Sequence, residues 1–247
     1  MKKLLRGLLV TAFWLICWQG AAMLVGKAVL LPPPLSVLNA LLTLAGTWEF
    51  WLSVTNSVLR VLEGLLLGVL LGVLTAAGTA RFAPLQSLLS PVMSAIKATP
   101  IASFIILALV WFRVSFIPVF TAFLIVYPLV WTNVEQGIRS TDPALLEMAR
   151  AFRMPRKNLL TKIYLPSVRP YFLAAFNSGM GMAWKAGIAA EVICSAGDSI
   201  GGALHDAKIY LETENLFAWT FSVILLSILL EKLFLRLAAW EGRRRDA

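Results

Sequence analysis

Two ionisable residues, Lys185 and Glu191, stand six positions apart in an otherwise apolar stretch. An ammonium group in hydrocarbon costs roughly 2.5–3.5 kcal/mol on insertion scales, so Lys185 must face protein or water. There it can offer positive potential to an anion or pair with a carboxylate. Six helical steps of about 100° put Lys185 and Glu191 on different faces, so a pair between them has to bridge helices or subunits. Both readings stay open: a translocation pathway for an anion, and a structural ion pair. Catalytic chemistry finds little support. His205, the single histidine, is expected in an exposed outer loop without companions at ligand spacing. Cys17 and Cys194 lie in separate apolar contexts that offer neither a disulfide framework nor a metal site. The segment from Gly20 to Gly26-Lys27 has a superficial likeness to a phosphate loop. Its glycines are one residue too far apart, and Ala28 stands where a magnesium-binding hydroxyl belongs.

A second constellation is one of spacing. Glu147-Met-Ala149 is followed after three residues by Arg153, and after nine more by Ile163-Tyr-Leu165-Pro166, all within a basic polar stretch at about 135–169. The stretch reads as two short helices. Asp142 caps the first, Pro143 occupies its first turn, and Glu147 is placed near the positive helix start, where an anion gains roughly 0.3–1 kcal/mol. Leu145, Leu146 and Ala149 give this helix an apolar side. The second helix, 156–164, presents Leu159, Leu160 and Ile163, and Pro166 is expected to stop it.

The spacing resembles the E-A-A, x3, G, x9, I-x-L-P signature of the cytoplasmic loop by which permease subunits of binding-protein-dependent ABC importers grip their ATPase subunits. Glu147, Ala149, Ile163, Leu165 and Pro166 are in register. Met148 stands where a second alanine is usual, and Arg153 where glycine, which accepts positive φ freely, is usual. With Arg153 there, the helix is expected to end by another route, assisted by Pro155. The resemblance runs from about Leu31 to Leu235, through 90–100 and 181–191, and is closest to the nitrate/sulfonate/taurine permeases. It implies that ATP and magnesium are held by separate ATPase subunits, with no cofactor in this chain. It also implies an extracytoplasmic solute-binding protein, a homodimer of this permease, and a small solute, either a nitrate-, sulfonate- or taurine-like anion or another organic solute such as a vitamin precursor. An ATP-independent channel or ion-coupled carrier is the alternative class.

These residues need a membrane to hold them. The chain has 247 residues, 59% of them hydrophobic and 14% charged, with a mean hydropathy of +0.80; a soluble domain so composed would precipitate. Uncharged runs at 7–26, 64–80 and 114–134, with shorter ones at 98–112, 170–184 and 215–230, give about six spans for a hydrocarbon core that takes roughly 20 helical residues to cross. The expected fold is therefore all-α, a single polytopic permease domain over 1–247 of the type I importer kind. A net charge of +9 invites nucleic acid, but the placement of the basic residues argues for topology instead. Lys2, Lys3, Arg6, Arg81, the basic stretch, Arg236 and Arg243–Arg245 fall inside if both termini are cytoplasmic, leaving Lys27, Arg60, Arg113 and Lys208 outside. The setting implied is a multi-pass protein of a prokaryotic inner membrane, with lipid and not nucleic acid around it. The basic, apolar start reads as a retained first helix, not a secretory signal, since its apolar run exceeds the usual core of about 7–15 residues.

Three features refine the elements. Pro32-Pro33-Pro34 ends the first span, after which a surface helix restarts, capped by Ser36 and flanked by Trp48, Phe50 and Trp51 at headgroup level. Gly64, Gly68 and Gly72, continued by Ala76 and Ala80, form a smooth face for close helix packing, against this chain or a second copy. Pro100 should break or kink its helix.

Overall fold

The structure is a computed structural model that describes residues 2–243. Its elements are α1 (Lys2–Val25), α2 (Pro34–Ala45), α3 (Trp48–Arg81), α4 (Ala83–Ala98), α5 (Ile101–Trp111), a short 3-10 turn (Val114–Phe116), α6 (Ile117–Arg139), α7 (Pro143–Ala151), α8 (Arg156–Leu159), a π turn (Leu160–Tyr164), α9 (Leu165–Cys194), α10 (Ile200–Ile209) and α11 (Thr213–Arg243). Four stretches are long and apolar enough to cross a membrane: Leu5–Val25, Trp48–Arg81, Val114–Arg139 and Thr213–Phe234. A fifth is broken, with α4 and α5 meeting at 106° around Thr99-Pro100, where proline removes an amide and bars the helical conformation before it. The sixth stretch expected from sequence lies inside α9, whose 30 residues reach about 45 Å. Asn177, Ser178, Gly179, Gly181 and Lys185 keep α9 outside the set qualified by hydropathy, so it needs protein or water beside it.

The chain forms two compact units. The first comprises 1–57 and 191–226. Here Trp18 of α1 stacks on Phe217 and Phe221 of α11 at 5.9 and 5.6 Å, and Phe50 stacks on Trp219 at 4.8 Å. Thr213 ties the start of α11 to the turn after α1 by donating to the Val29 carbonyl at 2.6 Å. At the polar centre Glu191, fully buried, accepts from Ser57 Oγ at 2.7 Å and from the Gly201 amide at 3.1 Å. The same Ser57 hydroxyl accepts from the Ile200 amide at 2.9 Å. Ser199 caps α10 through the Gly202 amide at 2.9 Å while donating to the Ala196 carbonyl at 2.6 Å. A polar group sealed from water persists only when hydrogen-bonded in this way.

Two expectations fail in this unit. Ser36 does not cap α2, because the helix already starts at Pro34; its hydroxyl donates back to the Pro33 carbonyl at 2.9 Å. His205 is not an exposed loop residue: it lies in α10, half-buried, with Nδ1 3.0 Å from the Val192 carbonyl oxygen.

The second unit comprises 58–190 and 227–247, and α6 is its core helix, with thirteen buried residues. The glycine stripe of α3 lies against it. A Cβ on Gly64 would collide with the Val119 carbonyl oxygen, one on Gly68 would stand 2.8 Å from Val126 Cβ, and one on Gly72 2.9 Å from Val130 Cβ. The partner of the stripe is thus this chain's own α6, and small residues are required because the backbones nearly touch. Trp131 Nε1 extends the seam by donating to Thr79 Oγ1 at 3.0 Å. Across α6, Gly137 admits Tyr171 and Val168 of α9, and Gly187 of α9 admits Val61 of α3.

Candidate coupling loop and lysine-lined cavity

Asp142 Oδ1 accepts from the Ala144 amide at 2.8 Å, with Pro143 in the first turn of α7, as N-capping chemistry requires. Glu147 falls in the second turn, beyond the first-turn position that would exploit the helix dipole. The end of α7 corrects the sequence reading. Arg153 adopts φ +48°, its amide bonds to the Arg150 carbonyl at 3.0 Å, and the Met154 amide reaches the Ala149 carbonyl at 2.8 Å. This is a Schellman motif with arginine in the left-handed place where glycine is favoured. The helix ends by the glycine route after all, with a residue that pays for it in strain.

The second helix differs too. Pro166 does not stop it, because α8 passes through the π turn straight into α9. A π turn shifts the hydrogen-bond register, and Pro166, which has no amide hydrogen to place, is the second residue after it. Ser167 Oγ, donating to the Ile163 carbonyl at 2.8 Å, secures the junction.

The signature residues divide by exposure. Ala149 and Ile163 are buried in the chain, whereas Glu147, Arg153, Leu165 and Pro166 are exposed. Leu145, Met148 and Phe152, at i, i+3 and i+7, form an open apolar stripe along α7, and Phe152 is 79% exposed. Sequence reasoning passed over Phe152, although its period with Leu145 and Met148 was there to be counted. That ring stands open among the exposed Arg150, Arg153 and Arg156.

Residues 68–246 match the family described as binding-protein-dependent transport system inner membrane component. The chain belongs to this family. Members include relatives that resemble it over most of their length. The taurine transport system permease protein TauC of Escherichia coli K12 is 25% identical over 92% of this chain and 86% of its own. The aliphatic sulfonates transport permease protein SsuC of E. coli K12 is 29% identical over 85% and 76%, and SsuC of Bacillus subtilis 27% over 87% and 78%. Among solved structures, an amino acid ABC transporter crystallised with histidines matches at TM-score 0.58 and 18% identity, covering 78% of this chain and 94% of that one. That match shows a shared fold. This inner membrane component is thus a multi-pass, all-helical permease subunit of an ABC importer.

Within such a subunit the charges near α9 acquire a setting. Lys185 is exposed on α9 and borders two cavities. One, of about 280 Å³, also holds Asn177, Ser178 and Glu231. The other, of about 640 Å³, is walled by Leu124, Ile125, Pro128 and Leu129 of α6, and by Lys97 and Thr99 at the α4–α5 break. Lys97, missed in the sequence because it precedes an apolar run and looks like a flanking charge, donates to Thr132 Oγ1 at 2.6 Å. Glu191, in the other unit, has its carboxylate engaged with Ser57 and Gly201.

Proposed function

We propose that two copies of this permease form the pathway for a small sulfonate-like anion handed over by an extracytoplasmic binding protein. Two ATPase subunits, which carry the ATP and magnesium, dock on the α7 loop, and both termini of the permease face the cytoplasm with them. The observation that carries this reading is the open Leu145, Met148 and Phe152 stripe beside Glu147, on a helix whose two ends are fixed by Asp142 and by the Schellman turn at Arg153. A helix held so firmly transmits displacement to α9, because α8, the π turn and α9 are continuous. ATP-driven closure of the ATPases then reaches Lys185 along one helix.

The relatives named for taurine and aliphatic sulfonates support the substrate class, as does a lysine kept within an apolar helix. Ala149 and Ile163 serve as the loop's inward anchors, while Glu147, Arg153, Leu165 and Pro166 border the docking face. Phe152→Asp replaces a ring worth about 1.5–3 kcal/mol when buried with a charge. Co-purification of the ATPase on the tagged permease should fall by tenfold or more, roughly as that energy requires, while membrane insertion stays normal. Undiminished recovery of the ATPase would move the contact off α7.

A further inference from the structure

We propose that Lys97 and Lys185 together form one anion-binding site, in the cavity at the α4–α5 break, for a small aliphatic sulfonate or similar singly charged organic oxyanion. The proposal rests on the import reading above and gives it a place. Lys97 and Lys185 both line the same cavity of about 640 Å³, and none of the residues that line it is acidic. Two cations facing one space repel each other, and an anion between them turns that repulsion into attraction. The imbalance is specific to this cavity, since the other one bordered by Lys185 contains Glu231.

The two lysines are held differently. Lys97 is fixed by its bond to Thr132 Oγ1, and that hydroxyl in turn donates to the Pro128 carbonyl at 2.7 Å. An ammonium has three N–H donors, so two remain for a ligand. Lys185 makes no hydrogen bond or ion pair among the described residues, and all its donors are available. The Thr99 hydroxyl is committed to the Ala95 carbonyl at 2.8 Å, which leaves recognition of the head group to the lysines. The start of α5, whose Ile101 lines the same cavity, adds the partial positive charge of a helix N-terminus. The remaining walls, with Leu124, Ile125, Leu129 and Met182, suit a short carbon chain and argue against a bare inorganic ion.

The test uses the permease assembled with its ATPase and binding protein in vesicles, with Cys17→Ser, Cys194→Ser and Thr99→Cys to place one thiol in the cavity. Its modification by an anionic sulfonatoethyl methanethiosulfonate is compared with that by the cationic trimethylammonium analogue, each rate normalised to a free thiol in solution. The anionic reagent should be favoured by about tenfold or more, and Lys97→Met with Lys185→Met should bring the ratio close to one. In the complex without Thr99→Cys, each methionine variant should lower uptake of ethanesulfonate by about tenfold while the ATPase still co-purifies, and Lys→Arg at either position should restore much of it. An unchanged reagent ratio, or uptake at the unsubstituted level in the double methionine variant, overturns the site. If Glu231→Gln reproduces the Lys185→Met loss while the ratio stays fixed, the lysine belongs to a pair with Glu231 and the site is again overturned. Failure of the unsubstituted complex to move ethanesulfonate counts against the substrate reading alone, because the reagent ratio still decides the site.

Discussion

At the residue scale, the most informative position is Arg153, a non-glycine residue at φ +48° closing a Schellman turn. Left-handed backbone costs an L residue roughly 1–2 kcal/mol, so Arg153→Gly should protect the amides of α7 from hydrogen exchange by up to about 1 kcal/mol once the added freedom of the unfolded glycine is deducted. Arg153→Val should loosen them, and equal exchange in both variants would show that the turn carries no strain. Gly68 makes the opposite kind of demand. Its absent Cβ would lie 2.8 Å from Val126 Cβ, so Gly68→Leu must push α3 from α6 at a cost of about 1–3 kcal/mol or more, read as a lower midpoint of thermal unfolding in detergent. The stripe was legible in the sequence because its four-residue period names a helix face, but which helix it meets depends on long-range packing that no local pattern encodes. Glu191 shows the same limit: its charge was visible, its partners Ser57 and Gly201 were not.

At the element scale, the apolar runs, the break at Pro100 and the capped α7 were all readable, since hydropathy, proline and Asp-Pro act locally. The second loop helix was misjudged for a physical reason. A proline stops an α-helix by breaking its i to i−4 ladder, but the π turn at Leu160–Tyr164 shifts that ladder just before Pro166, and nothing in a short sequence window announces a π turn. The second span was also drawn too short, because α3 begins at Trp48 and passes straight through Arg60 and Glu63. A rigid α8–α9 rod has a testable consequence. Inserting two glycines after Tyr164 should uncouple the loop from the span, lowering ethanesulfonate uptake at least about tenfold while the ATPase still co-purifies. Retained uptake would mean that force reaches the pathway by another element.

At the scale of the whole molecule, the family fixes the class and the chain supplies the parts. The proposed pathway of two permease copies predicts that native mass measurement of the solubilised complex gives two permeases with two ATPases. A stable single permease without an ATPase contradicts that assembly. The central claim, that this chain couples ATP hydrolysis elsewhere to solute passage through itself, is tested most directly by ATP hydrolysis in sealed vesicles as the binding protein and ethanesulfonate are added. The hydrolysis rate should rise several-fold above its basal level only when this permease is present, and Phe152→Asp should abolish the rise. A rise of the same size without the permease, or with Phe152→Asp in place, would contradict the account.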